Sequence, residues 1–206
     1  MANGEVGEVA GDELKGKLFL IVGPSGSGKG TVIAEIKKKY PGFVYPVSYT
    51  TRNLREGEVE GEVYHHVDKD EFKKMIERGE FLEYAIVHSD NYYGTYKEDI
   101  LEPLRGGGVV VREVDIQGFH AIRDIIPSEN LVSIFMKVVD SEDLKGRILR
   151  RGKISDEELA RRMESAQKEI ALSGECDYEV ENKWGEMKKA VFDVERIILA
   201  ELKDLY

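Results

Sequence analysis

Three near-continuous apolar runs divide the chain, and they are Leu18–Val22, Val109–Val114 and Leu131–Val138. They are rich in β-branched residues, as is typical of strands buried on both faces of a parallel sheet. Segments with helical spacing of apolar residues lie between and after them, including Thr31–Lys39, Ile116–Ile126 and Asp156–Ser173. Strands that alternate with helices predict an α/β fold in which crossover helices flank the sheet.

Two regions interrupt this alternation. The stretch from Ser48 to Thr95 is polar, aromatic and rich in turn residues, with one short helical pattern at Lys69–Arg78. It predicts a small mixed α/β lobe inserted into the core. The stretch from Leu144 to Met163 is rich in arginine and helix formers, which predicts a second, helical insert. The end of the chain, Trp184–Leu205, has the apolar spacing of an amphipathic helix that closes the fold.

Composition narrows the classes of partner. A chain of 206 residues suits one domain with small inserts. The net charge of −10 argues against a nucleic-acid-binding surface, and no apolar run is long enough to span a membrane. The single cysteine, Cys176, excludes an internal disulfide and fits a reducing compartment, and the N-terminal residues lack a signal-peptide core. We therefore expect a cytoplasmic protein without nucleic-acid or membrane partners, and the sequence leaves its oligomeric state open.

A Gly-rich loop between the first apolar run and the first helical pattern carries the clearest chemistry. Its residues are Gly23, Pro24, Ser25, Gly26, Ser27, Gly28, Lys29, Gly30 and Thr31. Glycines let backbone N–H groups approach an anion, the helix adds its positive end, and Lys29 supplies a cation for β- and γ-phosphates. The loop is predicted to bind a nucleoside triphosphate. The alternative is a strand-to-helix turn that binds nothing.

One position in this loop departs from the P-loop pattern. The pattern has Ser or Thr directly after the lysine to reach Mg²⁺, whereas this chain has Gly30 there and Thr31 one place later. We therefore expect the metal to be held more through water, or partly by other residues.

The inserted lobe holds a second set of candidate residues. Arg52 and Arg55, three residues apart, can face one point, and guanidinium groups match phosphate oxygens in bidentate fashion. The hydroxyls of Tyr64 and Tyr93 could complete such a site. The alternative is a solvated loop in which the arginines pair with the neighbouring glutamates, which are Glu56, Glu58, Glu60 and Glu62.

Three motifs together resemble the guanylate kinases: Gly23–Lys29, Ser48–Tyr64 and Asn91–Thr95. The resemblance extends from about Lys17 to Asn182 and is far more specific than a P-loop alone. It implies a P-loop parallel sheet core flanked by helices, an inserted GMP-binding lobe and a helical lid. The implied division is a tail at 1–16, the core at 17–47, 97–143 and 164–206, the GMP lobe at 48–96 and the lid at 144–163.

The resemblance also implies a GMP site. Arg52, Arg55, Tyr64 and Tyr93 would hold the 5′-phosphate, with Glu58 in the same motif, and Ser48, Glu83, Thr95 and Asp115 would surround the guanine. The carboxylate of Glu83 can accept both N1–H and N2–H₂ of guanine. Adenine presents a lone pair at N1, which would face that carboxylate and leave it unpaired.

The remaining implied roles concern phosphoryl transfer. Lys29 with the lid arginines Arg147, Arg151 and Arg162 would stabilise the moving charge, Glu113 and Asp115 would hold Mg²⁺ through water, and Asn182 would contribute to the adenine pocket. Arg150 and Arg161 are expected to be surface residues that pair with Glu157 and Glu158. The family more commonly has an apolar residue at the position of Arg112, and we expect this side chain to point to an edge or a helix end.

The implied reaction is MgATP + GMP ⇌ ADP + GDP, by direct in-line transfer with closure of the lid. Two alternatives remain. A guanylate-kinase-like binding module keeps the lobe but uses it to hold a phosphorylated partner protein, and such modules generally have a degraded P-loop and lid. A related kinase would use another monophosphate or a sugar phosphate, against which Glu83, Ser48 and Thr95 argue.

Overall fold

The computed structural model describes residues 13–54, 58–62, 64–87, 91–150 and 154–203. In chain order its elements are β1 (Lys17–Val22), α1 (Lys29–Lys39), β2 (Ser48–Thr50), β3 (Tyr64–His66), α2 (Lys69–Glu77), β4 (Phe81–Val87), β5 (Asn91–Tyr96), α3 (Glu98–Arg105), β6 (Val109–Val114), α4 (Ile116–Arg123), β7 (Leu131–Lys137), α5 (Ser141–Arg150), α6 (Asp156–Ala171), β8 (Tyr178–Glu181) and α7 (Met187–Glu201).

The core is a parallel sheet of four strands in the order β6-β1-β7-β8. Alternate residues of β1 point to opposite faces, so Phe19 packs with buried residues of α1 and α7, whereas Leu20 packs with those of α3 and α4. Both faces of β1 are therefore buried, which confirms the predicted helix-flanked parallel sheet. The carboxyl ends of β1 and β6 lie side by side, since Val22 pairs with Val114.

The helices mostly follow the apolar pattern, with differences at their ends. The C-terminal helix is Met187–Glu201, shorter than the predicted Trp184–Leu205. Helix α3 was not predicted, because it has only 8 residues and contains Pro103, which removes one helical hydrogen bond. None of the helices in the described parts of the chain is long and apolar enough to cross a membrane.

The second sheet is formed by residues 48–96 in the order β3-β2-β5-β4. One face is apolar, because Phe81 stacks on Phe72 of α2 with ring centres 4.4 Å apart. On this sheet Tyr64 pairs with Ser48, and Thr95 pairs with Glu83. Strands β2 and β5 are antiparallel, and Tyr49 pairs with Gly94. Ser48, which precedes Tyr49, therefore lies opposite Thr95, which follows Gly94. A row of polar side chains therefore crosses all four strands.

Candidate active site

The loop between β1 and α1 has the geometry of an anion-binding turn. Gly26 and Gly28 have φ angles of 89° and 98°, in the region that favours glycine. Helix α1 begins without a side-chain cap and has no acidic residue in its first turn, which leaves amide groups and the helix dipole for a phosphate. Lys29 Nζ folds back over the loop and donates to the carbonyls of Gly23 (2.5 Å) and Pro24 (3.1 Å).

A cavity of about 530 Å³ opens above this loop. Gly23, Ser25, Gly26, Gly28, Lys29 and Gly30 form its floor. Glu113 and Asp115, at the carboxyl end of β6, line one side, where ligands bind in open α/β sheets. Helix α6 lines the rest with Glu158, Arg161, Arg162, Ser165 and Glu169. The predicted triphosphate loop, the predicted metal ligands and one predicted lid arginine, Arg162, thus border the same space.

Glu113 occupies the space beside Gly30. A Cβ atom placed on Gly30 would lie 3.4 Å from Glu113 Oε2 and 3.9 Å from Oε1. A carboxylate therefore stands next to the position where the P-loop pattern has a hydroxyl. Mg²⁺ is bound through one or two carboxylates, with water and substrate phosphates as the other ligands, so this donor set suits it. The described residues contain no group of three acidic, His or Cys side chains able to enclose a metal.

Glu169 is a cavity residue that the sequence reasoning missed. Its Oε2 is buried and has no hydrogen-bond partner among the described residues. Burial raises the pKa of Glu169, opposed by the charge of Lys29 and reinforced by that of Asp115. The signal was the spacing of Arg162, Ser165 and Glu169 at intervals of three and four residues, which places them on one face of α6.

The predicted guanine residues meet on the second sheet. Thr95 Oγ1, fully buried, donates a hydrogen bond to Glu83 Oε1. Desolvation raises the pKa of Glu83, although the Thr95 bond and the charge of Arg112 oppose the shift and Asp115 adds to it. The polar row adjoins β6, because Arg112 of that strand donates a hydrogen bond to Ser48 Oγ. Asp115 itself caps α4 through its bond to the amide of Gly118 (2.8 Å).

Three of the four predicted phosphate-binding residues of the lobe also come together. The guanidinium of Arg52 lies 5.2 Å from the ring centre of Tyr64, and the rings of Tyr64 and Tyr93 are 5.5 Å apart. Arg52 Nη2 donates to both carboxylate oxygens of Glu58, each at 2.9 Å. The pairing of an arginine with a neighbouring glutamate, which the sequence left as an alternative, is therefore present beside the aromatic cluster. The fourth residue, Arg55, lies outside the described residues.

Arg112 lies on β6, an outer strand of the core sheet, so the expected edge position is found, but its side chain is enclosed. Only 6% of the residue is exposed, and its guanidinium donates to Pro46 O (2.9 Å) and Ser48 Oγ (2.8 Å). The strand β6 is covered by the segment that leads into β2, so the side chain is enclosed between the core and the second sheet. A charged residue inside an apolar strand was the available signal, but its environment depends on packing.

The lid arginines divide into two groups. Arg161 and Arg162 both pair with Glu158, the latter through Nε at 2.7 Å, and both line the cavity. Arg147 Nη2 instead donates to Asn182 O at 2.8 Å, and Asn182 Nδ2 bonds the loop carbonyl of Ser27. The guanidinium of Arg150 lies 4.3 Å from the Trp184 ring, so its expected pairing with Glu157 or Glu158 is replaced by stacking. Arg151 lies outside the described residues.

Comparisons with known proteins agree with this arrangement. The family model for guanylate kinase matches residues 15–201. The guanylate kinase of Nostoc sp. is 41% identical over 169 residues, covering 82% of this chain and 83% of that protein. That of Carboxydothermus hydrogenoformans is 39% identical over 187 residues, covering 91% and 89%. The crystal structure of guanylate kinase from Anaplasma phagocytophilum matches with a TM-score of 0.71 and 27% identity, covering 92% of this chain and 87% of that one. The chain therefore belongs to the guanylate kinase family and is a nucleotide kinase.

Proposed function

We propose that this kinase transfers the γ-phosphate of ATP directly to the 5′-phosphate of GMP, in line and without a covalent enzyme intermediate. The observation that carries the proposal is the convergence of two sites at the end of β6. Glu113 and Asp115 border the P-loop cavity, and Arg112, next to Glu113 on β6, donates a hydrogen bond to Ser48 in the polar row of the second sheet. A phosphate donor in the cavity and a base held at Glu83 would meet between them.

The P-loop side binds and orients the triphosphate. Amide groups of the loop and of the first turn of α1 hold phosphate oxygens, and Lys29 exchanges its carbonyl partners for the β- and γ-phosphates. Asn182 Oδ1 is buried and has no hydrogen-bond partner among the described residues. That acceptor supports the assignment of Asn182 to the adenine side, since the adenine 6-amino group is a donor.

The lobe side binds the acceptor nucleotide. Arg52, Tyr64 and Tyr93 hold the 5′-phosphate of GMP, with Arg55 from the same motif, and the phosphate displaces Glu58 as the partner of the Arg52 guanidinium. Glu83 accepts N1–H and N2–H₂ of guanine, and Thr95 orients that carboxylate through its hydrogen bond. Ser48, at the start of β2, completes the polar row that surrounds the base.

Mg²⁺ bound with ATP would be held by Glu113 and Asp115, in part through water, where it would neutralise charge on the β- and γ-phosphates. The contribution of this chain is to place a carboxylate beside Gly30, which has no side chain of its own to offer.

Arginine side chains supply the charge that the transfer needs. Phosphoryl transfer depends on alignment and on positive charge around the moving group. Arg162 lines the cavity while paired with Glu158, and we propose that closure of residues 144–163 moves Arg147, Arg151 and Arg162 onto the phosphates and excludes water. The division of the chain into core, lobe and lid is part of the same proposal, as is the cytoplasmic location.

A coupled assay of ADP release tests the substrate assignment. MgATP is supplied with GMP, AMP, UMP or CMP in separate reactions, and Lys29→Met provides the inactive control. We expect turnover with GMP alone. Turnover with another monophosphate would overturn the role of Glu83. If the folded protein turns over none of the four monophosphates, the proposed kinase reaction is contradicted and a phosphoprotein-binding module is favoured.

A further inference from the structure

Arg112 is a buried cation whose hydrogen bonds both go to the segment leading into β2. It lies on β6 between Val110 and Val114, which share its face of the strand and are both buried. Nη1 donates to the carbonyl of Pro46 and Nη2 to the hydroxyl of Ser48. Nε is buried without an acceptor among the described residues.

This burial is costly for a charged group. Arg112 has no ion pair within 4 Å among the parts of the chain that the structure describes. The carboxylates of Glu83, Glu113 and Asp99 act on it only as surrounding charges. A buried charge without a close counter-ion loses its hydration without full compensation, whereas an apolar side chain would avoid that penalty at this strand position. The guanidinium is thus held in place by two neutral acceptors, of which only Ser48 belongs to the predicted base site.

The bond from Arg112 determines how the Ser48 hydroxyl can be used. A hydroxyl has one proton to donate and two lone pairs that accept, whereas a guanidinium only donates. Because Ser48 Oγ accepts from Arg112 Nη2 at 2.8 Å, one lone pair is occupied and its own proton remains for another acceptor. Ser48 lies in the same polar row as Thr95 and Glu83, where the base is proposed to bind.

We propose that Arg112 is a specificity-determining positioning residue, which orients the Ser48 hydroxyl as a hydrogen-bond donor to the 6-carbonyl of guanine. The inference rests on the GMP site proposed above and extends it. Glu83 reads the donors at N1 and N2, while the Arg112–Ser48 pair reads the acceptor at O6. Adenine carries a 6-amino donor at that position, which would face a donor and lose the bond. Glu83 therefore accepts hydrogen bonds from this edge of the base, whereas Ser48 donates one to it.

The experiment compares three acceptor nucleotides. GMP has all three groups, IMP keeps O6 and N1–H but lacks the 2-amino group, and 6-thio-GMP keeps both donors but has sulfur, a weak acceptor, in place of O6. In Arg112→Met we expect the KM for GMP to rise about tenfold, the loss of one hydrogen bond, with a smaller change in kcat. At a pH high enough to keep Glu83 ionised in both proteins, the preference in kcat/KM for GMP over 6-thio-GMP falls by a similar factor, and the preference for GMP over IMP stays unchanged.

Companion variants separate this role from a structural one. We expect Ser48→Ala to lower the preference for GMP over 6-thio-GMP by the same factor. The double variant, Arg112→Met with Ser48→Ala, should lower it no further than either single variant does. Arg112→Lys, which keeps the charge and a donor, retains part of it. Arg123→Met, a surface arginine of α4, is the matched control and leaves all three nucleotides unaffected. Because Arg112 has no ion-pair partner among the described residues that its removal would strand, we expect Arg112→Met to fold.

The outcomes are distinct. If the wild-type protein does not phosphorylate GMP, the proposed function fails. If it does, but Arg112→Met and Ser48→Ala keep the wild-type preference for GMP over 6-thio-GMP, only the inference about Arg112 is overturned. If Arg112→Met lowers the preference for GMP over 6-thio-GMP and the preference for GMP over IMP equally, Arg112 has a general structural role. That result would also overturn the inference about Arg112. Should Arg112→Met fail to fold, Ser48→Ala and Arg112→Lys give the same comparison.

Discussion

The carboxylate of Glu113 stands beside Gly30, with 3.4 Å between Oε2 and the position of a Cβ on that glycine. The two residues come from different strand–helix units, the ends of β6 and of the P-loop, which β1 and β6 bring side by side. Together they present an oxygen donor where the P-loop pattern has a serine or threonine hydroxyl.

Replacement of Glu113 by Gln should therefore weaken the binding of Mg²⁺, so that the kinase requires a higher Mg²⁺ concentration. We expect the Mg²⁺ concentration for half-maximal rate to rise about 10- to 100-fold, as for loss of a group that supports a metal site. A titration of Mg²⁺ at fixed ATP and GMP measures this change. Adding Gly30→Ser to Glu113→Gln should recover part of the loss, whereas Gly30→Ala, which adds the Cβ without the hydroxyl, should not. An unchanged Mg²⁺ requirement in Glu113→Gln would contradict the role.

Glu83→Gln should weaken the binding of GMP and spare that of ATP. An amide can accept from N1–H but turns its own NH₂ toward the 2-amino group, so one hydrogen bond is replaced by a clash of donors. We expect the KM for GMP to rise about 10- to 100-fold, equivalent to about 1–3 kcal/mol. Steady-state kinetics with each substrate varied in turn measures the effect. Equal increases in the KM for ATP and for GMP would count against base recognition by Glu83.

The raised pKa of Glu83 predicts that kcat/KM for GMP decreases at acidic pH. Desolvation raises the pKa of Glu83, with the Thr95 bond and Arg112 in opposition. Only the ionised form accepts both guanine donors, so kcat/KM for GMP should fall as the pH decreases through this raised pKa, above the usual range for glutamate. The profile for kcat/KM of ATP should lack this decrease, and Glu83→Gln should abolish it. Persistence of the decrease in that variant would assign it to another group.

Arg162→Met should lower kcat far more than it changes either KM. The side chain lines the phosphate cavity and is proposed to act when charge develops on the transferred group. A reduction of about 1,000-fold or more is expected for loss of such an arginine. Arg150→Met is the matched control, because that side chain stacks on Trp184 and should change kcat little. Similar losses in both variants would indicate a general effect of charge on the lid.

Gly94→Ala should destabilise the second sheet. A Cβ at this position would lie 2.8 Å from Phe81 Cδ1 and 3.0 Å from Phe72 Cζ, both in the aromatic core of the lobe. Overpacking of this kind costs about 1–3 kcal/mol in the free energy of unfolding. Denaturant unfolding measures it, with Gly42→Ala as control, because nothing lies within 4 Å of a Cβ there. Since Tyr93 and Thr95 flank Gly94, the KM for GMP should rise as well.

Much of this protein follows from local sequence. The order of apolar run, Gly-rich loop and helical pattern from Leu18 to Lys39 specifies strand, phosphate loop and helix, because glycine conformations and apolar periodicity act over a few residues. Runs buried on both faces likewise required helices on both sides of the sheet. The resemblance of the lobe motifs to those of guanylate kinases implied which side chains would gather, and Ser48, Thr95 and Glu83 lie in one row.

Tertiary structure decided how residues distant in sequence meet. Whether Arg112 faces solvent or the interior depends on which segment covers β6, and that segment comes 66 positions earlier at Pro46. Glu113 approaches Gly30 because β1 pairs with β6. Glu169 lines the cavity because α6 passes over the P-loop. Periodicity assigns a side chain to a face of its own element, but packing free energy determines what that face meets.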